Sequence, residues 1–157
     1  MRKLAFIPLG ALFGVLMFAI PAGAGATQTH DGTLTLSGFQ NQCTGVIGTV
    51  DETYHEVLLD KVNPIGSFHQ TETWNGKLTF TPDPTLFPNA LSFTGTFHNS
   101  DVINSPYNAG YTETYHLTVN GHFSDGSHGV LQELIHVTYN ANGTLTADIS
   151  GLNCSSG

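Results

Sequence analysis

The sequence predicts an all-β protein: a single antiparallel β-barrel of about eight strands, with a β-sandwich as the alternative, behind an N-terminal signal peptide. Three observations carry this expectation. Apolar and polar residues alternate with period two through most of the chain, the signature of strands with one buried face. Clusters of Gly, Pro, Asn and Asp punctuate those runs at turn spacing. No convincing helical pattern follows the leader. The barrel is preferred to the sandwich because closure removes the edges that so many threonine-rich strands would otherwise expose.

Residues 1–26 read as a secretory leader: Met1-Arg2-Lys3 is basic, Leu4 to Ile20 is an apolar run, and small residues follow from Pro21. Cleavage is expected after Ala26, with Ala24 the competing site. The apolar run is 17 residues long, short of the roughly 20 that a spanning helix needs. The expected domain is therefore 27–157, one core's worth of chain in a secreted, extracellular or periplasmic protein.

Within it, Thr33 to Phe39, Gly45 to Val50 and Thr53 to Val62 read as strands, and Asn63-Pro64-Ile65-Gly66 as a turn. Ser67 to Trp74 follows, then Asn75-Gly76, a strong short hairpin signal, with Lys77 to Thr81 returning from it. Pro82 to Asn89 holds three prolines and reads as a loop or barrel corner. Ala90 to His98 alternates as a strand, and Asn99 to Gly110 reads as the longest irregular stretch. Three strands then run from Thr112 to Phe123, Leu131 to Tyr139 and Thr144 to Leu152, giving eight or nine in all.

Beyond the leader, only Lys61 and Lys77 stand against twelve carboxylates, a formal charge of −10 with the histidines neutral. Such a surface repels nucleic acid and acidic lipid head groups and favours neutral or cationic partners. Cys43 and Cys154 lie at opposite ends of the domain, and in an oxidising compartment a disulfide between them is expected.

Two stretches carry a family resemblance. Phe39-Gln40-Asn41-Gln42-Cys43-Thr44-Gly45, and Glu133 to Gly143 with its Glu-x-x-His strand and Asn-Ala-Asn-Gly turn before a final cysteine, resemble a group of small, uncharacterised secreted bacterial proteins. Val46 stands where that group usually has glutamate. The resemblance implies secretion and an all-β domain, and brings no activity with it.

Candidate chemistry comes from strand register. Closing the Asn63 to Gly66 turn with matched faces sets Glu56 opposite Glu72 and Tyr54 opposite Trp74. The hairpin around Asp125-Gly126-Ser127 sets Glu113 opposite Tyr139, Glu133 opposite Val119 and His116 opposite His136. The Ala141-Asn142-Gly143 loop sets His136 opposite Asp148 and Ile135 opposite Ile149. On the apolar face, Tyr54, Trp74, Tyr115 and Tyr139 then form walls, and Glu56, Glu72, Glu113 and Glu133 polar anchors, for a small, partly apolar ligand in the barrel mouth. Two facing glutamates would push one pKa up, the condition for isomerase- or hydrolase-type acid/base chemistry. On the polar face, His116, His136 and Asp148 form a row that would suit Zn²⁺ or Cu²⁺, against the plainer reading of a solvated outer face. No serine-nucleophile motif, phosphate loop or basic stacking groove is visible in the sequence.

Overall fold

The computed structural model describes residues 25–63, 65–106 and 110–157. The leader expected over 1–26 lies almost wholly outside them. Among the described residues the structure is all-β: β1 (Ala26–Gln40), β2 (Ile47–Val62), β3 (Phe68–Pro82), β4 (Phe93–Ser105), β5 (Tyr111–Phe123), β6 (His128–Tyr139) and β7 (Leu145–Ser156). They form one seven-stranded antiparallel sheet in which each strand pairs with the next in sequence. The count is seven rather than eight or nine, and β1 and β7 are not hydrogen-bonded to each other, so the sheet is not closed into a barrel.

The strands are fewer because they are longer. Gly45 to Val50 and Thr53 to Val62 merge into β2, and β3 runs straight through Asn75-Gly76, where a hairpin was expected. Gly76 is there to let a ring approach. A Cβ built on it would lie 2.8 Å from the Phe97 ring and 2.1 Å from the Thr53 carbonyl oxygen, so no larger residue fits that point of the sheet. Similarly, β4 extends to Ser105 through most of the stretch expected to be irregular.

Turn chemistry follows the expected residues. Asn63 Oδ1 accepts from the amides of Ile65 (3.2 Å) and Ser67 (2.9 Å), and Gly66 takes φ +85°. Between β1 and β2, Asn41 Oδ1 accepts from the amides of Cys43 and Thr44, holding a tight corner that presents Cys43. Cys43 is bonded to Cys154 on β7 across 111 residues of sequence, with a Cα–Cα distance of 5.7 Å. The expected disulfide is thus present, and it ties the β1–β2 corner to the last strand.

The ladders sort the side chains into two faces, read as rows across the sheet. Leu36, Val50, Phe80, Phe93 and Phe123 form one row of the inner face, and Tyr54, Gly76, Phe97, Val119, Leu131 and Cys154 another. Val50, Phe80 and Phe93 are the buried centre of the core, with Leu36, Phe39, Leu78, Val119 and Phe123 packed around them. Each such side chain contributes roughly 1.5 to 3 kcal/mol when fully withdrawn from water. The opposite end of the same face is different: its rows carry the carboxylates.

Candidate ligand-binding site

The inner face encloses a cavity of about 700 Å³. Its lining comes from all seven strands, from Leu36 on β1 to Cys154 on β7, so the sheet must curl for one space to touch both ends of it. The cavity is apolar along the phenylalanine rows. At its other end it meets Glu52, Trp74, Asn99 and Tyr115.

All eight candidate ligand-binding residues fall on this face, though not in the expected pairs. In the β2–β3 ladder Glu56 pairs with Trp74, Leu58 with Glu72 and Tyr54 with Gly76. The register differs by two residues from the expected one because the turn closes between Asn63 and Ser67, one position further along the chain, where the Asn63 amide donates to the Ser67 carbonyl and Asn63 Oδ1 accepts from the Ser67 amide. A two-residue slip preserves faces, and the diagonal neighbours still meet. Tyr54 and Trp74 stack with ring centroids 5.0 Å apart and planes 11° from parallel. Space for the Tyr54 ring comes from Gly32, whose Cβ would lie 2.6 Å from it.

Trp74 Nε1 donates to Glu72 Oε1 at 2.5 Å, and Glu72 also shares a hydrogen bond with Glu56. Burial, followed by the Glu56 contact, pushes the Glu72 carboxyl up to about 7, against the lowering effect of the Trp74 N–H. The Glu56–Glu72 pair anticipated from sequence is therefore a real contact, diagonal rather than directly opposed.

A second cluster sits on β5 and β6. Glu113 pairs with Val137 instead of Tyr139, and Glu133 with Leu117 instead of Val119, again a two-residue slip. Tyr111 pairs with Tyr139, their rings 5.6 Å apart, and the Tyr111 hydroxyl donates to Glu113. Burial first, and Glu113 second, push the Tyr111 phenol up. Tyr115 is raised by burial and then by Glu133, Asp101 and Glu52. That Glu52 of β2 acts on Tyr115 of β5 is a further sign of the curl. Burial also raises the carboxyls of Glu52 and Glu133.

Four polar residues of this face were not singled out in the sequence. Asp60 is 4% exposed and accepts from Gln70 Nε2 at 2.9 Å. Glu52 shares the parity of Tyr54 and Glu56, a signal that was available. Asn99 and Asp101 sit in the stretch expected to be a loop, so their parity had no meaning until β4 was seen to include them. The Asp101 carboxyl is pushed up to about 6 by burial and then by Glu113. Asn99 Oδ1 and Asp101 Oδ1 are shielded from solvent and have no hydrogen-bond partner.

The expected metal row does not form. His136 pairs with Ile149, and Asp148 with Val137, because a bulge between Thr138 and Tyr139 shifts β7 by one residue. A one-residue shift changes faces, so Asp148 lies on the inner side and His136 on the outer. His116 pairs with Leu134, and His136 Nδ1 is 2.7 Å from the Thr114 hydroxyl. Among the described residues no group of three His, Cys, Asp or Glu side chains converges as metal ligands. Nor, among them, is any helix long and apolar enough to cross a membrane. No protein-family model, curated protein or solved structure matches the chain.

Proposed function

We propose that the chain is a secreted protein whose sheet rolls into an incomplete barrel, clipped by Cys43–Cys154, and binds a small, partly apolar ligand inside it. The carrying observation is the cavity of about 700 Å³, apolar over most of its wall and polar at one end. Ligand sites of this kind are concave, mostly apolar and supplied with a few placed polar groups, in a range of about 300 to 1,000 Å³. Secretion is supported by the leader-like residues 1–26, by the disulfide, and by the resemblance of both ends to small secreted bacterial proteins.

Titration with Nile red, a neutral solvatochromic dye, tests the reading. A saturable blue shift at one dye per chain is expected, with energy transfer from Trp74, the single tryptophan. Leu117→Trp, which fills the cavity, should abolish the shift while preserving the far-ultraviolet circular dichroism. Dye binding that is unsaturable, or unchanged in that variant, would count against an internal site.

A second reading rests on the Glu56–Glu72 contact. A carboxyl at about 7 beside an apolar cavity has the proton affinity a general acid/base needs near neutrality. Hydrolysis of p-nitrophenyl esters or glycosides that titrates near that value and disappears in Glu72→Gln would carry it.

A further inference from the structure

The polar end of the cavity is one-sided in its chemistry. Glu52 and Asn99 line it, and Asp101 and Glu133 lie beyond them around Tyr115. Two of these residues present shielded oxygens that nothing satisfies, Asn99 Oδ1 and Asp101 Oδ1. Buried acceptors without a partner are unfavourable, and they are relieved by a group that donates. Two nearby donors are already engaged, Trp74 Nε1 by Glu72 and the Tyr111 hydroxyl by Glu113, which leaves the Tyr115 hydroxyl as the other donor at this end.

Nor does the protein supply a counter-charge. Lys61 and Lys77, the two lysines beyond the leader, are exposed and belong to the outer face, where they pair with His69, Thr53 and Thr96. The histidines pair off on that face too: His55 with Asp31, His69 with Asn104, His98 with Asn75 and His128 with Asn120. Only His30 has inner parity. It is exposed on edge strand β1, opposite Glu56.

We propose that the cavity takes an amphiphilic organic cation, an alkyl or aryl amine whose ammonium donates to Glu52 and Asn99 while its apolar body lies among Phe80, Phe93, Phe97 and Leu117. This deepens the ligand-binding reading and rests on it. An ammonium supplies the missing N–H donors and the missing positive charge together. A bare divalent ion fits less well, because no three carboxylate or imidazole groups converge there among the described residues.

The test displaces Nile red from the full-length secreted protein with three probes of one chain length: octylamine, octanol and octanoate. Octylamine should bind at least about tenfold more tightly than octanol, and octanoate more weakly than either. The amine-to-alcohol ratio should rise between pH 5 and pH 8 as Asp101, pushed up to about 6, ionises, with octylamine protonated throughout. Glu52→Gln should bring the ratio close to one, whereas Asp51→Asn, the same loss of charge on the outer face, should leave it intact. The glutamine variant removes a carboxylate whose burial is unfavourable, and far-ultraviolet circular dichroism checks that it keeps the parent fold. If all three probes bind equally, or if Glu52→Gln keeps the preference, the cation proposal is overturned and the apolar cavity stands. If none of the three displaces the dye, the proposal is again overturned, and a failed Nile red titration would remove the cavity reading with it.

Discussion

Glu72 offers the sharpest test of the electrostatics of the inner face. Its carboxyl titrates at about 7 in the folded protein, from an ordinary 4.5, mainly because it is half-buried and secondarily because it shares a hydrogen bond with Glu56. The folded state therefore holds this proton after the unfolded chain has released it. The stability it contributes is fully present below about pH 4.5 and is lost as pH rises to and through about 7. Taken whole, that shift corresponds to roughly 3 kcal/mol. Glu72 is partly open to water, and screening reduces the figure to about 1 to 2 kcal/mol. Glu72→Gln should then be more stable than the parent by about 1 to 2 kcal/mol at pH 8 and indistinguishable from it at pH 4.5. The glutamine can keep both contacts, its Oε1 accepting from Trp74 and its Nε2 donating to Glu56. Urea unfolding followed by circular dichroism at several pH values measures the difference. In melting temperature the gain at pH 8 should be about 3 to 8 °C. A variant that is less stable at pH 8, or a difference that does not change with pH, would refute the placement of this carboxyl.

Two structural predictions follow from the disulfide and the sheet. Reduction, or Cys43→Ser, opens a link spanning 111 residues and should destabilise the domain by roughly 4 to 5 kcal/mol on the chain-entropy model, measured by urea unfolding with and without reductant. Gly76→Ala places a methyl against the Thr53 carbonyl and the Phe97 ring and should cost about 1 to 3 kcal/mol, whereas Gly151→Ala, which meets nothing within 4 Å, should stay within about 0.5 kcal/mol of the parent.

What could be read in the sequence was parity, and what could not was register. Alternation alone assigns Tyr54, Glu56, Glu72, Trp74, Glu113, Tyr115, Glu133 and Tyr139 to one face, and the structure puts them there. Their partners depend on how many residues each turn consumes. The Asn63–Ser67 and Phe123–Ser127 backbone bonds each close a three-residue loop one position along the chain from the expected one, moving the pairing by two. Asn75-Gly76 misled for a related reason. Glycine beside asparagine is a turn signal when φ must be positive, but Gly76 serves ring packing within a strand, and nothing local distinguishes the two uses. The cavity's phenylalanines come from β1, β3, β4 and β5, and only the curl of the sheet brings them around one space.

The bulge in β7 has a signal in the sequence. Leu145, Ala147 and Ile149 have odd parity, while Leu152 and Cys154 have even parity, so a regular strand cannot turn both groups inward. Cys154 must face inward to reach Cys43, and it pairs with Leu131. The strand resolves the conflict by bulging between Leu145 and Ala147, which leaves Ile149 57% exposed. Two deletions separate cause from consequence. Removing Thr146, the extra residue, should leave every cross-strand pair and the disulfide unchanged. Removing Gly151 should instead place Leu145, Ile149, Leu152 and Cys154 on a single parity, so the bulge has no reason to persist. The strand should then straighten, with Ile149 turned inward opposite Ile135 and Asp148 outward opposite His136. NMR contacts between the backbones of His136 and Asp148, together with an intact disulfide by mass, would show that the cysteine's parity had forced the bulge. Free thiols after Gly151 deletion, with His136 still opposite Ile149, would show that the bulge is fixed locally by the Asn140 to Thr144 turn and owes nothing to Cys154.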